Sequence, residues 1–172
     1  MPFGTWDYVE FGPAGPVLTE QCTETLDLKP SESLAVNEII QGAYKKYIEL
    51  EAKHTDRLRI GDKLEVTITP SRDQALPILE RLWAGLDNVL DARKQGIARR
   101  HLPLGRIFAV SEFEFGGPTV TLAVRKETGA YNYEIKRDWP EDSGAGDGAR
   151  SGRALTLPAE YQRFWDEPAT DE

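Results

Sequence analysis

Apolar and polar positions alternate with a period of two in KLEVTIT, where Leu64, Val66 and Ile68 are interleaved with Glu65, Thr67 and Thr69. That period predicts a strand with one buried face. Two earlier stretches, TWDYVEF and VLTEQCTETLDL, also read as extended, and the intervening GPAGP folds them together with Phe11 opposite Val17. Leu18, Cys22 and Leu26 share one parity of the second stretch and form its apolar side. Lys29-Pro30 breaks the chain there.

The period then changes to that of a helix. From Ser31 or Ser33, each a suitable N-cap, a long helix runs towards Arg57 with Val36, Ile39, Ile40, Ala43, Tyr44, Tyr47 and Ile48 as its stripe. A second helix starts between Ser71 and Gln74 and buries Leu79, Leu82, Trp83, Leu86, Val89 and Leu90. Pro77 falls in its first turn or just beyond, and Gly96 is its stop. A basic connector over 93–106 follows as a surface loop.

Residues 106 to 139 predict an antiparallel meander. A turn at Gly116-Gly117 sets Phe113 opposite Val120 and Glu112 opposite Thr121. A second turn at Thr128-Gly129 sets Lys126 opposite Tyr131, Val124 opposite Tyr133 and Leu122 opposite Ile135. The apolar parity passes through both turns without a slip. Glu112, Thr121 and Lys136 then share a row on the polar face, and Glu112 with Glu114 reads as a solvated pair, side by side on one strand.

The element order ββ-α-β-α-βββ predicts an α+β fold: a two-layer sandwich with a predominantly antiparallel sheet and both helices on one face. The expected organisation is a single domain over 1–140, a flexible linker over 141–153 and a C-terminal aromatic motif with an acidic end over 154–172. The linker reading rests on EDSGAGDGARSGR, which has no large apolar residue. Beyond it, Leu155, Leu157, Tyr161, Phe164 and Trp165 are too apolar to stay in water. Pro158 can open a short helix that puts Tyr161, Phe164 and Trp165 on one side. So short a helix needs a surface, on its own domain or on a partner.

Composition narrows the chemistry. The 172 residues are 40% hydrophobic and 29% charged, an ordinary globular balance. The net charge of −8 argues against a dedicated nucleic-acid binder. No apolar run is long enough for a membrane span, and the N-terminus has no signal-peptide pattern. The one cysteine, Cys22, forms no internal disulfide, which fits a reducing, cytoplasmic setting.

Arg93, Lys94, Arg99, Arg100, His101 and Arg106 gather in the connector, and Arg99, Arg100 and His101 are its candidate anion-binding residues. His54 reads as structural. No metal spacing, catalytic constellation or cofactor motif is present. The expected function is a small cytoplasmic protein-interaction module of accessory, adaptor or inhibitor type. Its partner, another protein, would be bound through Leu157, Tyr161, Phe164 and Trp165. Two other classes compete: a small enzyme on the polar sheet face using Glu112, Glu114, Lys136 and His101, and a nucleic-acid-associated factor using 93–106.

Overall fold

The computed structural model describes residues 8–12, 15–69, 71–102, 104, 118–139, 148–157 and 159–166. The fold is α+β, and every strand pair among these residues is antiparallel. The chain divides into two compact units, residues 1–50 with 73–115, and residues 51–72 with 116–172.

In the first unit, β1 (Val9–Gly12) and β2 (Gly15–Leu18) pair with Phe11 opposite Pro16, one residue away from the expected register. Gly12 and Gly15 face each other, so only two residues close the hairpin and the turn centre shifts by half a residue. Gly15 has φ +112, and a Cβ there would come within 2.8 Å of the Tyr44 ring. The expected second strand is cut short by α1 (Glu20–Thr25), N-capped by Thr19, whose hydroxyl accepts from the Cys22 N–H at 3.2 Å. Leu18, Cys22 and Leu26 are four apart, a spacing that serves one face of a strand and one face of a helix alike. The cap decides between them, and Cys22 and Leu26 are buried.

Pro30 opens the long helix α2 (Pro30–Ala52) instead of merely breaking the chain. At the first helical position its missing N–H is no loss. Glu32 reaches back to accept the Lys29 N–H at 2.8 Å, half of a capping box. α3 (Arg72–Val89) keeps Pro77 inside its second turn. It stops at Leu90, not Gly96, because Asp91 accepts from the Lys94 N–H at 3.0 Å and starts α4 (Ala92–His101). The connector is therefore helical as far as His101. Val36, Ile40 and Tyr47 of α2, Leu82 and Leu86 of α3, and Ala98 of α4 share one core with Cys22 and Leu26.

The second unit is built on a five-stranded sheet in the order β3-β4-β5-β6-β7. β3 (Thr55–Ile60) and β4 (Lys63–Ile68) are joined through Gly61-Asp62, with Gly61 at φ +60. β5 (Thr119–Glu127) and β6 (Ala130–Asp138) turn at Thr128 and Gly129, both at positive φ. Their register sets Lys126 opposite Tyr131, Val124 opposite Tyr133 and Leu122 opposite Ile135, as the alternation predicts. Leu64, Val66, Val120, Leu122, Val124 and Ile135 are buried on one face.

Three expectations change. Residues 55–57, expected at the end of the first helix, belong to β3. β5 has β4 and β6 on its two sides, so the expected pairing of Phe113 with Val120 is replaced by Ile68 opposite Val120. Glu112, Phe113 and Glu114 themselves lie outside the described residues. β7 (Gly148–Ala154), expected within the linker, pairs along β6 from Tyr131 to Arg137.

Glu32 also joins α2 to α4, since the oxygen that caps α2 accepts from Lys94 Nζ at 2.7 Å. The Lys94 hydrogen bond, then the Lys29 N–H, holds the Glu32 carboxyl below its ordinary value of 4.5. A depressed folded-state pKa stabilises the fold above the unfolded value and loses that contribution as pH falls through the folded one. Glu32→Gln keeps an oxygen for the cap but removes the charge. The variant should have a lower melting temperature near neutrality, with the difference from wild type shrinking below pH 4.5. Thermal unfolding measured across that range checks this.

Candidate interaction surface

The last helix, α5 (Ala159–Asp166), lies on the apolar face of the sheet in its own unit. Leu157, Tyr161 and Phe164 are buried, and Trp165 is half-buried. Tyr161 meets Tyr133 with ring centroids 5.8 Å apart, and Trp165 stands edge-on to Tyr131 at 5.2 Å. Of the four expected partner-binding residues, Tyr161, Phe164 and Trp165 thus meet side chains of this chain's own strands, and Leu157 is buried. Leu155 is the exception at 81% exposed.

Two arginines of β3 hold that helix. The Arg57 guanidinium lies 5.3 Å from the Phe164 ring centroid, and that of Arg59 lies 4.4 Å from Trp165. Arg59 Nη2 also donates to the Trp165 carbonyl at 2.8 Å, which satisfies an oxygen in the helix's last turn. Because strand side chains alternate, turning Arg57 and Arg59 towards the aromatic rings turns Leu58 and Ile60 to the other side. Leu58 is 40% exposed and Ile60 67%. An apolar–basic alternation has the arginines covered and the aliphatic residues in water, the reverse of the usual strand.

β7 shows why the linker reading fails over residues 148–153. Tyr133 pairs with Gly152, and a Cβ on Gly152 would strike the Tyr133 ring. The ring occupies the space that glycine leaves, a cross-strand exchange that lets a glycine-rich segment pack as a strand. The same ring contacts Tyr161, so β7 and α5 share one anchor.

The polar face of the sheet carries an open depression of about 470 Å³ lined by Lys63, Arg125, Asn132, Glu134, Ser151 and Arg153 among others. Its charges are largely matched in place: Lys63 with Glu65 at 3.3 Å, Arg125 with Glu127 at 3.5 Å, and Lys136 with Glu134 at 3.7 Å. Exposed pairs of this kind contribute about 0 to 1 kcal/mol each. Lys136 is therefore occupied along its own strand. Among the described residues no group of three His, Cys, Asp or Glu side chains can hold a metal ion.

Among the described residues the basic cluster is matched too, and Arg106 lies outside them. Lys94 pairs with Glu32, Arg93 with Asp27 at 3.7 Å, and Arg99 with Asp87 at 2.6 Å. Arg99 also lies over Trp83 at 4.7 Å. Arg100 Nε donates to the Gly96 carbonyl at 3.0 Å, and the His101 ring sits 5.7 Å from Tyr8. Arg99, Arg100 and His101 do lie together in one helical turn, yet the first two spend donors on the protein itself. His101 belongs to the first unit and Lys136 to the second. No helix among the described residues is long and apolar enough to cross a membrane.

Truncation of the helix anchor should be costly. Phe164→Ala removes a side chain that is 1% exposed, and such changes cost about 3 to 5 kcal/mol. Urea unfolding should report that loss, and limited proteolysis of the wild type should spare residues 154–166.

No protein-family model, curated protein or solved structure matches this chain, so its function is read from its own surface chemistry.

Proposed function

We propose that this protein is a protein-interaction module, of accessory, adaptor or inhibitor type, which captures an extended segment of another protein along β3, where Leu58 and Ile60 are exposed. The observation that carries this reading is the exposure of Leu58 and Ile60 on β3, the outer strand of the sheet among the described residues. A strand edge with exposed aliphatic side chains offers main-chain bonds and apolar contact together, the two elements of strand addition. The opposite edge contrasts with it: β7 reads GARSGRA, with glycine, serine and arginine, a composition that discourages pairing. The aromatic residues first expected to bind the partner instead secure α5 and set which side chains β3 exposes.

A cytoplasmic setting is the natural one for this role. Cys22 is buried, and burial pushes its thiol up to about 12, so it stays protonated and unreactive. That supports a chain whose stability owes nothing to oxidation.

The test compares wild type with the double variant Leu58→Lys and Ile60→Lys. Both side chains are exposed, so the melting temperature should change little, while the complex with the cellular partner should be lost. Ser151→Lys, on the β7 edge, should leave the complex intact. A complex that survives in the double variant contradicts the reading.

A further inference from the structure

The polar face of the five-stranded sheet gathers cations in one row. Lys63 stands opposite Arg125, Arg125 opposite Asn132 and Asn132 opposite Arg153, so these side chains run side by side across β4, β5, β6 and β7. The next row on the same face is Glu65, Ala123, Glu134 and Ser151. Ala123 and Ser151 are short, and among their longer neighbours they leave the open depression of about 470 Å³. Lys63, Arg125 and Arg153 line it against a single carboxylate among the described residues, that of Glu134. This reverses the balance of a chain whose net charge is −8.

The carboxylates that offset these cations stand outside the lining. Glu65 meets Lys63 at 3.3 Å and Glu127 meets Arg125 at 3.5 Å, while Glu134 meets Lys136 at 3.7 Å. All three pairs are half in water, where such contacts are weak and give way to a stronger anion. No carboxylate among the described residues pairs with Arg153, which is exposed. Lys63 directly opposite Arg125 is a like-charge pair, an arrangement that is destabilising until an anion lies between the two.

We propose that this depression binds a phosphate monoester. Arg125 and Arg153 stand two strands apart, about 10 Å between backbones, with Asn132 between them. Side chains of that length converge on a group held over Asn132, each guanidinium presenting a fork of N–H donors. Asn132 gives one amide N–H to Glu127 at 2.9 Å and keeps a second, and the Ser151 hydroxyl adds a donor one row away. A phosphate monoester brings nearly two negative charges and three acceptor oxygens, enough for two arginines, whereas one fork satisfies a carboxylate. The depression is open, so the rest of the ligand stays in water. The same phosphate chemistry arrives on a small molecule or on a phosphorylated side chain of a protein. The site lies on β4 to β7 and is independent of capture along β3.

The test is an NMR titration of the full chain, followed at the backbone amides of Arg125, Asn132, Ser151 and Arg153. The probes are glycerol phosphate, a glycine-flanked phosphoserine peptide and the same peptide without phosphate. Both phosphorylated probes should shift these amides, and the unphosphorylated peptide should bind about tenfold more weakly. Binding should tighten as pH rises through about 6, where phosphate loses its second proton. Arg153→Gln should weaken binding about tenfold, while Lys46→Gln, which removes the same charge from an exposed position of α2, should leave it unchanged. Tighter binding of the phosphopeptide assigns the phosphate to a protein, and equal affinity assigns it to a small molecule. No shift at these amides with either phosphorylated probe overturns the proposal. Equal weakening by the two substitutions also overturns it, since the attraction would then belong to the whole chain's charge.

Discussion

A strand has only two sides, and β3 uses one of them for its arginines. Stacked on Phe164 and Trp165, Arg57 and Arg59 secure the C-terminal helix to the sheet, with one hydrogen bond reaching the helix's last turn. The geometry of the pleat then leaves no choice for Leu58 and Ile60. Their exposure is not a packing lapse but the complement of the arginine–aromatic contacts. The strand's outward main-chain groups follow from the same register, since the residues that face the helix are also those not bonded to β4. Helix anchoring and exposed aliphatic surface thus descend from one alternation.

The two edges of the sheet are treated differently. At β7, Gly152 lets the Tyr133 ring lie across the strand, and glycine, alanines, arginines and a serine take the remaining positions. Such a composition discourages a further strand. At β3, six residues of regular strand end in a tight turn and carry aliphatic groups outward. Proteins usually blunt outer strands of that kind, so aliphatic groups exposed on one invite a functional reading.

What could be read beforehand follows from which signals are local. The β5–β6 register was legible because alternation and the Thr128-Gly129 turn agree, and the stripes of the two long helices were legible from their spacing. β3 was hidden because TDRLRI inverts the usual pattern: the covered residues are charged and the exposed ones apolar. β7 was hidden because its stability comes from Tyr133, nearly twenty residues earlier, and not from its own propensity. α1 was masked by a spacing of four that suits either period. The pairing of β4 with β5 joins segments separated by two helices, and no local pattern announces it. For the candidate surface, the aromatic residues of the tail were evident from sequence, but their use within the chain was not, since burial against self or partner has one and the same hydrophobic signature. Leu58 and Ile60 could have been found by asking what an arginine alternation would do beside aromatic rings.

The alternation of β3 can be measured directly by cysteine scanning, because the native Cys22 is buried and its thiol is held protonated. Single cysteines at positions 57, 58, 59 and 60 would be exposed in turn to a thiol-specific reagent under native conditions. The account predicts fast modification at 58 and 60, slow modification at 57 and 59, and none at Cys22. Fast modification at 57 and 59 with protection at 58 and 60, or equal rates at all four, would contradict it.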